Sequence, residues 1–289
     1  MFKIKKPTQP DDLGADHLND ERVMSAIEKD MLKNIHRQLR LDSDGPGYKK
    51  YMIAASVLLV CGIASWFFLS NQMGGKLITV SAQKGHIANI ILPDGSTICL
   101  NAGSTVSYPE KFADKREVQL IDGEAFFDVK HDKKHPFIVH YGNLHTQVLG
   151  TSFNIRYYKK LNDVRVTVIR GLVEVGNQTK SFGLITPNKE VVYHQNDKTY
   201  KTRTINSQKV AAWKSNEINL YNVPFEDLMV EVENVYGLQI KYDHEKMKNV
   251  VTTIHFLSTD DMKQVLEMIT TIHGLNYTIA GKEVTLASN

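Results

Sequence analysis

Cysteine is the first scarcity: this chain of 289 residues has two. Cys61 lies inside an apolar run and Cys99 lies alone beyond it. No disulfide framework is available, so whatever folds must be held by its own cores. An isolated thiol such as Cys99 reads as a small buried apolar group. An excess of charge is also missing. The 35 Lys and Arg nearly balance the 32 Asp and Glu, leaving a net charge of +3. No basic block interleaved with aromatics occurs, which removes the electrostatic case for direct nucleic-acid binding.

Catalytic and metal signatures are absent too. Ser96 and Ser104 sit in no nucleophile elbow, and there is no glycine-rich phosphate loop. His131, His135, His140, His145 and His194 have neither the HxxxH pattern of a helix nor the spacing of a structural zinc site. His140 and His145 could face each other across a hairpin, but two imidazoles without a third ligand make a weak site. Asp94, Asp122, Glu124 and Asp128 are carboxylates of the kind that glycoside hydrolysis pairs. Turn formation accounts for Asp94 and Asp122. The reading is of a non-enzyme, with no catalytic, cofactor-binding or metal-binding residues and no cofactor.

Long hydrophobic runs are scarce as well, with one exception. From Tyr51 to Ser70 only Ser56, Gly62, Ser65 and Ser70 interrupt the apolar residues. As a helix this window is roughly 30 Å long, the thickness of a bilayer's hydrocarbon core. A soluble core helix is usually shorter and keeps a polar side. A signal peptide has its charged region at the extreme N-terminus and a shorter apolar core. The stretch therefore reads as an uncleaved transmembrane helix at 51–70. Lys33, Arg37, Arg40, Lys49 and Lys50 precede it, against Lys76 and Lys84 after it. Positive residues stay inside, so 1–48 is expected in the cytoplasm and everything after the anchor outside it.

The N-terminal arm, 1–48, holds one helical pattern, opened by Asn19 or Asp20 and running to about Leu41. Met24, Ile27, Met31, Ile35 and Leu39 form one apolar stripe along it. A single helix cannot build a core. Its stripe is covered by self-association, by the membrane surface or by a cytoplasmic protein that receives the helix in a groove.

From Leu77 to about residue 204 short β-runs alternate with turn signals. Pro93-Asp94-Gly95, Asp122-Gly123 and Tyr141-Gly142-Asn143 read as hairpin turns, and the chain turns again near Arg170-Gly171. This predicts an all-β sandwich or solenoid-like domain over 77–204. Beyond Trp213 the pattern becomes strand, helix, strand, twice over. Leu228, Met229, Val232 and Val235 in the first unit match Val265, Leu266, Ile269 and Ile272 in the second, and Gly237-Leu238 matches Gly274-Leu275. Two such repeats predict a small α+β domain over 216–287, closed by a hairpin about Ala280-Gly281. Its short sheets leave edges that could accept a strand from another protein.

The runs LPDGSTICLNAGSTVSYPEKF, VQLIDGEAFFDVKHDKKHPFIVH, TQVLGTSFNIRYY and VTVIRGLVEV resemble the exported domain of FecR-type anti-sigma factors, in the version abundant in Bacteroidetes. The region after them is similar to the C-terminal domain of such proteins, which resembles the short N-terminal domain of secretins and TonB-dependent receptors. The resemblance covers roughly 50–289. It implies a single-pass inner-membrane protein with a cytoplasmic N-terminus and periplasmic C-terminal domains. It further implies two partners: the periplasmic signalling domain of an outer-membrane TonB-dependent transducer, and an extracytoplasmic-function (ECF) sigma factor in the cytoplasm. Uptake genes for an iron chelate or a glycan are the expected output. On that reading Met24, Ile27, Met31, Ile35 and Leu39 are the candidate sigma-factor contact. Family members usually carry a longer cytoplasmic domain; here only VMSAIEKDMLKNIHRQL is similar to its juxtamembrane helix. The arm is then a minimal binder or a segment that folds on its partner. The alternative function is a membrane-anchored periplasmic binding or scaffold module without sigma control. An anchored hydrolase lacks any convergent catalytic set.

Overall fold

The computed structural model describes residues 28–34, 48–72 and 76–288, with side chains at all of these except 48–50 and 67–72. The chain divides into two units, Met1–Asn71 and Gln72–Asn289.

In the first unit, residues 28–34 are helical and exposed. A second helix, α1, runs from Tyr48 to Gln72. Every described side chain on it, Tyr51 to Trp66, is exposed, including Leu58, Val60 and Ile63. Ser56 donates its hydroxyl to the Ile53 carbonyl at 2.8 Å, keeping its polar group within the helix. Among the described residues no helix is long and apolar enough to cross a membrane. The described side chains stop at Trp66, short of the Ser70 end of the expected span.

The second unit begins with thirteen strands that form two sheets sharing one strand. The first sheet contains β1 (Leu77–Ser81), β4 (Thr105–Pro109), β6 (Phe137–Tyr141), β7 (Leu144–Val148), β10 (Val173–Asn177) and β11 (Ser181–Ile185). The second contains β2 (Ala88–Ile91), β3 (Thr97–Leu100), β8 (Ser152–Tyr157), β9 (Asp163–Arg170), β12 (Lys189–His194) and β13 (Thr199–Thr204). The shared strand is β5 (Arg116–Asp128). Its first half lies between β4 and β6, and its second half lies between β3 and β8. The inner faces of both sheets meet in one core built around Phe127, Phe137, Phe153, Leu100, Leu120 and Ile155. Phe127 stacks on Phe153 with centroids 5.0 Å apart.

That sharing corrects one turn. Asp122-Gly123 is no hairpin: β5 passes straight through it and bends from one sheet into the other. Gly123 has φ +108°, and a Cβ there would lie 2.2 Å from the Ser104 Oγ. The register against β4 slips beside it. This is a bulge that turns a sandwich corner, and only glycine tolerates both the backbone and the close approach. Arg170-Gly171 likewise carries the chain from β9 across to β10 in the other sheet, so the strands it joins do not pair with each other. The turns at Pro93-Asp94-Gly95 and Gly142-Asn143 do join paired neighbours, β2 with β3 and β6 with β7.

The rest of the second unit contains β14 (Glu217–Pro224), α2 (Phe225–Tyr236), β15 (Gln239–Lys241), β16 (Val251–Leu257), α3 (Met262–His273), β17 (Leu275–Ala280) and β18 (Glu283–Ser288), besides single helical turns at Ser207–Val210, Ala211–Ser215 and His244–Met247. The first strands of the two repeats, β14 and β16, pair antiparallel. The second strands meet through β18, which runs parallel to β15 and antiparallel to β17. Pro224 precedes α2, Asp261 caps α3 by accepting from Lys263 and Gln264, and both helices stop at left-handed glycines, Gly237 and Gly274. Both apolar stripes are buried, with one departure: Ile272 is 53% exposed while its counterpart Val235 is buried.

Candidate functional site

Strands with one face on the core normally send alternate residues to water. On β8 all six residues are buried, and on β9 a central run of five is. The outer face of the second sheet is covered by the β14–β18 domain. Cys99 and Phe126 on this face join the apolar cluster of that domain, beside Trp213 and Leu228. Cys99 is thus a buried packing residue, its thiol pushed above the ordinary value by burial against an opposing effect of Lys214.

The remaining covered positions are polar. Arg156 on β8 and Arg165 on β9 converge on Asp227 in the first turn of α2. Arg156 pairs with Asp227 Oδ1 and donates to the Asp227 carbonyl at 3.3 Å; Arg165 reaches Oδ2 at 3.0 Å. All three side chains are at most 10% exposed. Burial alone would raise the Asp227 carboxyl, but the two guanidinium groups overcome it and hold the group below its ordinary value. The chain of charges continues outward: Arg165 also lies 3.5 Å from Asp163, and Asp163 accepts His194 Nδ1 at 2.6 Å.

A second cluster lies beside the first. Asn101 donates its amide to Glu124 Oε2 at 3.0 Å and to Glu231 Oε1 at 3.3 Å. Glu124 is on β5 and Glu231 is on α2, so Asn101 links carboxylates from both domains. Asn154 donates to Glu124 Oε1 at 2.7 Å and accepts Trp213 Nε1 at 3.3 Å. Burial raises the Glu124 carboxyl despite Arg156. Burial and then the Glu124 charge push Glu231 up to about 7. Around the rim Lys84 Nζ donates to the Leu238 carbonyl at 3.1 Å, Gly85 N donates to the Asn234 carbonyl at 2.8 Å, and Lys160 pairs with Glu233.

A cavity of about 570 Å³ opens at this junction, floored by Asn154, Arg165 and Thr167 and walled by β14 and β16. Its lining carries both signs, Arg203 and Lys209 against Glu190 and Glu217, so it favours no ligand of one charge. The arrangement ties the two domains together through buried ion pairs and hydrogen bonds. Among the described residues no group of three or more His, Cys, Asp or Glu could hold a metal ion. His140 and His145 do stand opposite each other on β6 and β7, and His140 Nε2 lies 3.8 Å from Glu117 on the neighbouring strand.

Residues 78–174 match the family described as FecR protein, and residues 217–286 match the one described as FecR, C-terminal. The chain belongs to the FecR-type anti-sigma factor family. Two crystal structures of a candidate anti-sigma factor from Parabacteroides distasonis, at 2.50 and 1.65 Å resolution, are similar to it. Each has a TM-score of 0.69 and 27% sequence identity. The matches cover 74% and 73% of this chain, and 100% and 99% of the other. No curated protein sequence matches. Membership makes the chain a regulator with a sigma factor as its general partner. The Arg156–Asp227–Arg165 junction joins the FecR domain to the C-terminal domain.

Of the candidate sigma-factor contacts, Met31 is described and is 64% exposed on a helical segment. Met24, Ile27, Ile35 and Leu39 lie outside the described residues. Sequence reasoning missed Arg156, Arg165, Asp227, Glu124, Asn101 and Glu231 as a group. The available signal was polar residues in strands and in the first turn of a helix, a pattern that also marks a solvated face.

Proposed function

We propose that this FecR-type protein is a single-pass inner-membrane anti-sigma regulator. On this reading a periplasmic signalling domain of an outer-membrane TonB-dependent transducer engages the C-terminal domain. The signal passes through the FecR domain and α1 to an ECF sigma factor bound by residues 1–48, and the output is expression of iron-chelate or glycan uptake genes. One observation carries the relay: Asp227 of the C-terminal domain is buried between Arg156 and Arg165 of the FecR domain. A push on one domain therefore moves the other. The apolar run 51–70 and its basic N-terminal flank support the membrane placement. The open edges of β14 and β15 supply backbone groups that a transducer strand would pair with.

Co-expression with a candidate ECF sigma factor tests the cytoplasmic end. The full chain, solubilised in detergent, retains the sigma factor. Met31→Asp combined with Ile35→Asp abolishes retention. Retention unchanged by the pair of substitutions rejects the stripe as the contact.

A further inference from the structure

The Glu124–Asn101–Glu231 cluster has a property that the relay does not require. Two carboxylates from different domains share the amide of one asparagine, and both are buried. The charged groups around them are already committed. Arg156 is paired with Asp227, and Arg165 is held by Asp227 and Asp163. Tyr158, the other titratable neighbour, is itself pushed up by burial and by these carboxylates. Asn101 Nδ2 and Asn154 Nδ2 offer neutral hydrogen bonds only. Arg156 attracts both carboxylates but is itself paired with Asp227, so the two ionised groups still repel across the junction.

We propose that Glu124, Asn101 and Glu231 form a proton-dependent latch between the FecR domain and the C-terminal domain. A proton on one carboxyl removes the repulsion and closes the latch; loss of that proton loosens the docking. This concerns the junction alone and stands whether or not the partner at the N-terminus is a sigma factor.

The sign follows from the direction of the shifts. Both carboxyls are raised in the docked state, and Glu231 reaches about 7 against an ordinary 4.5. The docked state therefore binds more protons than the open state between these values. Docking is fully favoured below about 4.5, weakens as pH rises and reaches its floor above about 7. Across that window the docking constant falls on the order of 10²-fold. The first cluster, with Asp227 lowered, stays ionised throughout this window, so the pH dependence belongs to the second cluster.

Trp213 is buried in the junction and hydrogen-bonded to Asn154, so its fluorescence reports docking. The chain has two tryptophans, and Trp66→Phe removes the other signal. The full chain carrying that change, in detergent micelles, is titrated between pH 5 and pH 8. The expected result is a red shift of Trp213 emission that develops as pH rises from 5 and levels off above about 7, with a matching rise in amide exchange along α2. Glu231→Gln mimics the protonated carboxyl and abolishes the transition, leaving the low-pH emission throughout; Glu124→Gln does the same independently. His194 is tied to the same ion-pair chain through Asp163, and His194→Asn leaves the transition in place. Wild-type emission that is flat across the range overturns the latch, as does an unaltered transition in both glutamine variants. Loss of the transition in His194→Asn overturns it equally.

Discussion

Asp227→Asn keeps the shape of the side chain at the junction and removes its charge. Arg156 and Arg165 then stay buried against a neutral amide. Breaking one partner of a buried pair costs about 3–5 kcal/mol, because the remaining charge is left uncompensated. Arg165 retains Asp163 at 3.5 Å, so the loss falls mainly on Arg156 and the lower end applies, about 3 kcal/mol. That is roughly a 100-fold weaker docking of the C-terminal domain on the FecR domain. Urea unfolding followed at Trp213 in the Trp66→Phe background reads it directly. With a slope of about 3 kcal/mol per molar urea the midpoint falls by about 1 M at unchanged slope. Lys160→Ala is the contrast. Its pair with Glu233 is half exposed at the lysine end, and exposed pairs contribute about 0–1 kcal/mol, so its midpoint moves by less than about 0.3 M. Equal shifts for the two variants, or a shift below about 0.3 M for Asp227→Asn, would refute the claim that this buried junction holds the domains together.

Gly123→Ala places a methyl 2.6 Å from the Ser104 Cα at a left-handed backbone position, and destabilises the FecR domain by about 2–5 kcal/mol in the same urea assay. Ile269→Ala costs about 2–5 kcal/mol because its site is fully buried, whereas Ile272→Ala, half exposed at the matching face, costs under about 1 kcal/mol. Cys99, packed against the C-terminal domain, resists maleimide in the wild-type protein. It reacts at least tenfold faster in Asp227→Asn, by mass spectrometry at fixed pH; equal rates contradict its placement at the junction.

Local signals carried much of the fold. Pro93-Asp94-Gly95 forms its hairpin because Gly95 N reaches the Leu92 carbonyl and Asp94 accepts the Ser96 amide, bonds within a few residues of one another. The helix ends at Gly237 and Gly274 were legible for the same reason. At Gly123 a glycine after aspartate signals a positive φ but not whether the strand turns back or continues. The close approach of Ser104, nineteen residues earlier in the chain, decides that, and it is a tertiary fact. The junction was hidden by the same logic. Arg165 and Thr167 alternate with Val164, Val166 and Val168 as they would on a solvated sheet, and nothing local says that another domain covers them. Ile272 shows the converse: the repeat pattern assigns it to the core, yet the second helix leaves it half exposed. Arg116, buried and bound to Asp94, the Lys130 carbonyl and the His135 carbonyl, stands in the sequence among lysines that are exposed, so its burial too is a tertiary fact.

Regulation of a sigma factor is read out by transcription. RNA levels are compared across four strains: the parent, one lacking this protein, one lacking the candidate ECF sigma factor, and one lacking both. A defined set of uptake genes changes when this protein is removed and returns to the sigma-deletion level when both are removed. A transcript profile unchanged by removing the protein, or a change that persists without the sigma factor, would contradict that regulation.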